Sequence, residues 1–138
     1  MGIMNYSYNE FLNVVVLKPA GKVQVSDICA YGSELLDQGI MTKDTIEYVD
    51  MSSMTDLSVS YIEARRLVSM HKLWLSAGWY GSVYFTSTDL EFGIVRMVGA
   101  VVECIPDSPT GIMIPLREPT PLEQLREVIS NHISNPLN

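Results

Sequence analysis

The run Thr45–Ala77, TIEYVDMSSMTDLSVSYIEARRLVSMHKLWLSA, decides how this chain is organised. Its opening, Thr45–Met51, is rich in β-branched and aromatic residues and predicts a strand. Its end, Ser60–Ala77, sets Ile62, Leu67, Val68, Trp74 and Leu75 at near-helical spacing. Ser60 followed by Glu63 has the spacing of a capping box, and Gly78 is a natural stop. Between strand and helix lies VDMSSMTDLSVS, with hydroxyls at Ser52, Ser53, Thr55, Ser58 and Ser60. The unit is a strand, a polar loop and a long helix.

Working outward, the same alternation recurs. Phe11–Leu17 and Lys22–Val25 read as a hairpin about the turn residues of KPAG. Ser26-Asp27 caps a helix to about Asp37, ended by Gly39. Trp79–Phe85 is a further strand, and Thr88 with Glu91 opens a helix to about Glu103. Ile112–Leu116 is a short strand, placed at an edge by Pro115. Thr120-Pro121-Leu122-Glu123 opens the last helix, running to about Asn131. The expected order is β-β-α-β-α-β-α-β-α, an α/β domain with a mostly parallel five-stranded sheet and helices packed on it.

At 138 residues the chain fits one domain, 1–138, with its core over about 11–130. A hydrophobic content of 47% suits a globular protein. Net charge is −7, and the 9 Lys and Arg are dispersed, which disfavours nucleic acid and anionic membrane surfaces as partners. No stretch predicts a transmembrane segment. MGIMNYSYNE lacks the charged and apolar regions of a secretory signal, and Tyr6 stands where a myristoylation motif needs Ser or Thr. A cytoplasmic location is expected. Cys29 and Cys104 form no paired motif and read as small buried residues, while His71 and His132 lack further ligands for a metal. No cofactor is expected. Neither Gly-x-Ser-x-Gly nor a Ser/His/acid set is legible, so an enzyme is not predicted.

Three stretches together resemble the STAS domain, the fold of the anti-sigma factor antagonists, and more closely its SpoIIAA-like (STAS/SEC14-like) group. They are LKPAGKVQVSDICAYGSELL, IEYVDMSSMTDLSVSYIEARRL and STDLEFGIVRMVGAVVE, the last with Phe92-Gly93 and Arg96-Met97 in an FG..RM pattern. The resemblance covers about residues 11–130 and implies a non-catalytic regulatory or protein-interaction domain. In the antagonists, a serine at the start of the second long helix is phosphorylated and switches partners. Aligned on Asp50, that Asp-Ser-Ser-Gly motif falls on Ser58, Val59, Ser60 and Tyr61, so only Ser60 keeps its type. Ser60 is therefore read both as an N-cap and as a possible phospho-acceptor.

The alternative function is binding of a small anionic or lipid-like ligand beyond the carboxyl ends of the strands. Two helix starts would open there, each offering unpaired amides. The residues expected to line such a site are Asp50, Ser52, Ser53, Ser58, Ser60, Ser87 and Thr88. A lipid-like ligand would need a continuous apolar cavity instead. Trp74, Trp79 and Tyr84 are read as core ahead of pocket. Finally, in the helix of Leu90–Glu103 only Arg96 is charged between Glu91 and Glu103, and the apolar residues point in all directions. An interface is expected through Phe92, Ile94, Val95, Arg96, Met97, Val98 and Val101, with a homodimer or another protein as partner.

Overall fold

Two covered faces dictate how the strands are written. The computed structural model describes residues 2–57 and 59–134. Strands β1 (Gly2–Asn9), β2 (Val14–Val23), β3 (Ile46–Asp50), β5 (Gly81–Phe85) and β6 (Met113–Leu116) lie side by side in that order. Strand β4 (Met54–Leu57) pairs with β2 off this path, and only β1–β2 is antiparallel. Helices α1 (Val25–Asp37), α2 (Tyr61–Ala77) and α3 (Asp89–Val102) share one core with Val15, Leu17 and Val49. Helix α4 (Leu125–Ser134) buries Leu125 and Ile129 against Val14, Ile46, Tyr48 and Val83 in a second core. Successive strand residues thus serve opposite cores, as the pleat requires.

The α/β character, the mostly parallel sheet and the edge position of β6 are as the sequence predicts. The strand count is not: the sheet has six strands, because MTDL within the hydroxyl loop is β4. Its propensity is weak. The cause is tertiary: β2 runs ten residues while β3 runs five, so pairing with β3 ends at Leu17. Beyond it the open edge at Gly21–Val23 takes up Met54–Leu57.

An N-terminal hairpin forms, but not the expected one: Phe11–Leu17 and Lys22–Val25, read as its two arms, fall largely within the single strand β2, whose antiparallel partner is β1. KPAG is inside β2, and β1 pairs from Gly2↔Gly21 to Asn9↔Val14, which leaves residues 10–13 as the turn. Pro19 falls where β2 has left β3 and has not yet met β4, a break in the ladder that suits a residue without an N–H.

Helix starts follow the capping logic in two cases of four. Glu63 N–H donates to Ser60 Oγ at 3.1 Å and Ser60 N–H to Glu63 Oε1 at 3.2 Å, the expected box. Glu91 N–H donates to Thr88 Oγ1 at 3.1 Å, but the Glu91 carboxylate accepts from Ser87 N–H and Oγ. Helix α1 is capped two residues earlier than expected, at Gln24, whose N–H donates to Asp27 Oδ2 at 2.9 Å. Thr120 caps nothing. Its N–H donates to the Tyr48 hydroxyl, and a 3-10 turn, Leu122–Gln124, precedes α4.

Gly39 and Gly78 end α1 and α2 with φ of +70° and +111°. A Cβ at Gly39 would meet open space, whereas at Gly78 it would stand 2.5 Å from Lys43 Cα. Gly39→Ala should therefore cost about 1 kcal/mol, and Gly78→Ala on the order of 3 kcal/mol because backbone must also move. Urea denaturation of the two variants checks the order; equal losses would contradict the close approach.

Candidate functional site

The hydroxyl side chains at the carboxyl edge are bonded to their own neighbours. Asp50 Oδ1 accepts from Ser52 N–H at 2.9 Å and Ser52 Oγ at 2.6 Å, and Lys18 Nζ stands 3.9 Å from Oδ2. Ser53 gives its carbonyl to Gly21 N–H. Ser60, Ser87 and Thr88 are exposed and engaged in the two caps. Ser58 lies outside the described residues. Strand β4 also carries the chain from Asp50 across to the end of β2 before α2 begins, so the α2 start neighbours Lys22 and Val23. At both helix starts a glutamate already occupies the field an anion would use: Glu63 at α2 and Glu91 at α3. The geometry supplies no shared anion cradle from these residues.

Most of the apolar surface of α3 is covered from within the fold. Val95 and Val98 are buried, and Ile94, Met97 and Val101 are half-buried against the same core. Helix α2 covers one flank and β6 the other, where a Cβ at Gly99 would touch Met113. Phe92 is half-buried, with the Arg117 guanidinium 4.4 Å from its ring centroid. Arg96 points outward with Gly93 and Ala100. The expectation of a wholly apolar outer face on this helix is corrected: α2 and β6 cover its flanks, and Gly93, Arg96 and Ala100 face outward, with Leu90 exposed in its first turn.

What the fold does build is a cavity of about 80 Å³ between the sheet and helices α1–α3. Its walls are apolar and include Met4, Met51, Met54, Met70 and Met113, with contributions from β4 and from Val59 after it. Two titratable side chains that sequence reasoning did not single out for this role, Glu47 and His71, line it.

Glu47 sits in mid-β3, 3% exposed. Its Oε2 accepts from Tyr31 OH at 2.8 Å, and its Oε1 from Ser82 Oγ at 2.7 Å and more weakly from Tyr84 OH at 3.5 Å. Burial pushes the carboxyl above its ordinary range, and these donors hold it part of the way back. Burial, then the Glu47 charge, push the Tyr31 and Tyr84 phenols well above theirs. Trp79 Nε1–H donates to Ser82 Oγ at 3.1 Å, extending the network. One signal in the sequence could have found Glu47: it is the lone acid between Ile46 and Val49 in a strand whose two faces are both covered.

His71 lies on the inner face of α2, with ring centroids 5.4 Å from Trp74 and 5.1 Å from Trp79. Trp74 in turn donates Nε1–H to the Gly32 carbonyl at 3.1 Å. Trp74, Trp79 and Tyr84 are core as predicted, and Trp74 and Tyr84 also face the cavity. His71 Nδ1 is 2.8 Å from the Leu67 carbonyl, an acceptor, so Nδ1 carries the proton. Burial lowers the pKa to about 4 and keeps the ring neutral at pH 7.

Among the described residues no three His, Cys, Asp or Glu side chains are placed to hold a metal. Cys29 is half-buried, and Cys104 is exposed, contrary to its reading as a buried residue, because it follows the end of α3.

The lowered pKa of His71 has a sign. The unfolded chain takes up the proton near pH 6.5 and the folded one only near 4, so folding is progressively penalised as pH falls between them. The penalty is about 3 kcal/mol at full extent. His71→Phe should flatten the pH dependence of unfolding free energy in that window by roughly this amount. Urea titrations from pH 7 to 4 measure it; parallel curves for the two proteins would contradict a neutral, buried ring.

No protein-family model matches the chain, and no curated protein matches it.

Proposed function

We propose that this chain is a non-catalytic binding domain whose internal cavity takes a small, largely apolar, lipid-like ligand. The cavity carries this reading. An unfilled apolar void of about 80 Å³ costs on the order of 2 kcal/mol, a sizeable part of a domain's net stability. A ligand that fills it recovers that loss. Methionine is the side chain best suited to re-pack around a guest, and five line the space. Half-buried Met4, Met54, Leu57 and Val59 form the side nearest solvent, where β4 and the turn into α2 offer a route in.

The absence of a free nucleophile beside Glu47, whose oxygens are engaged by three hydroxyls, favours binding over catalysis. The regulatory role implied by the STAS resemblance fits the same site. Ser60 is exposed at the start of α2, and α2 lends Leu67, Met70, His71 and Trp74 to the cavity wall. A phosphate on Ser60 would displace Glu63 from the cap and shift that wall.

Toluene is a suitable probe. Added to the full chain at millimolar concentration, it should shift the methyl resonances of Met4, Met51, Met54, Met70 and Met113 in a saturable way and raise Tm. Val49→Ile, which adds one methylene to the wall, should raise Tm by about 3 °C unliganded and weaken toluene binding. No methyl shift at toluene saturation would overturn the reading.

A further inference from the structure

The polar groups around the cavity are nearly all spoken for. Tyr31 and Tyr84 hydroxyls and Ser82 Oγ donate to Glu47; Trp79 Nε1–H donates to Ser82, and Trp74 Nε1–H to the Gly32 carbonyl. One group is left. The His71 ring spends its Nδ1–H on Leu67, and its contacts otherwise are the faces and edges of Trp74 and Trp79. Its Nε2 has no hydrogen-bond partner among the described residues. The residue is 2% exposed overall, and the open volume it lines is the cavity.

Because Nδ1 holds the proton, Nε2 presents a lone pair. A guest that supplies a donor to that lone pair gains a hydrogen bond in nearly dry surroundings. We propose that the cavity is selective for a one-ring molecule bearing a single O–H or N–H donor, which bonds to His71 Nε2. This deepens the apolar-ligand reading and rests on it.

Size and charge agree. An engineered apolar cavity of about 150 Å³ admits benzene, and about 80 Å³ is roughly half of that. One ring enters once one or two methionine side chains swing aside, and a larger body would have to part the helices. No Lys or Arg lines the space, so an anionic head has no counter-charge there. Glu47 already has its donors, which leaves the histidine as the place where a guest's polar atom gains most.

Phenol and toluene, near in shape and different in one hydroxyl, separate the possibilities. The full chain labelled with ¹⁵N-histidine and methyl-labelled methionine is titrated with each. The expected result is that both move the cavity methyls, while only phenol moves the His71 Nε2 resonance in the direction of a hydrogen-bonded acceptor. His71→Phe should weaken phenol about tenfold, the worth of one such bond, and leave toluene within twofold. If both probes enter and phenol leaves Nε2 unmoved, or if toluene alone enters, the selectivity is refuted while the cavity reading stands. If neither enters, the cavity reading itself fails. Should the His71→Phe protein not fold, the nitrogen resonance of the unmutated chain decides the matter.

Discussion

A carboxylate in the middle of a sheet covered on both faces persists only if donors meet it, and at Glu47 three hydroxyls come from two elements. Tyr31 on α1, and Ser82 and Tyr84 on β5, all converge on the two oxygens. Removing one partner of such a network leaves a buried charge short of a bond, which costs more than the bond's net worth. The network therefore specifies where α1 lies on the sheet and how β3 and β5 are matched. A pairing slip of one residue would turn Glu47 to the α4 side, where Leu125 and Ile129 offer no donor.

The same network shapes the cavity. Around it, apolar side chains from α1, α2 and α3 meet the sheet, and Trp74 packs edge to face with both Trp79 and His71. These rigid groups hold the deep end open, and flexible methionines close the shallow end. Strand β4 matters here, since Met54 and Leu57 bring the hydroxyl loop over the cavity and fill the free edge of β2. A loop of plain coil would have left that side wet.

Much of this was legible. Helix α2, its Ser60–Glu63 cap and its Gly78 stop follow from local chemistry, as do β3, β5 and the Thr88 cap. Three things were not. The residues Gly2–Asn9 alternate half-buried and exposed, yet with Asn, Ser and Tyr in the run they carry a weak strand signal until β2 pairs with them. The four residues of β4 have no propensity of their own. The covering of α3 depended on α2 lying beside it, so an all-round apolar helix that reads as an interface is instead packed on two flanks.

The amino-acid sequence by itself determined where α2 and α3 start and where α1 and α2 stop, because caps, glycine stops and side-chain periodicity act within a few residues. It also determined the α/β alternation. Only the tertiary structure decided which polar groups end up inside and which neighbours meet them. Glu47 and His71 are ordinary letters in a strand and a helix until burial raises one pKa and lowers the other. Desolvation and empty volume arise from residues distant in sequence meeting in space, and no local pattern encodes either.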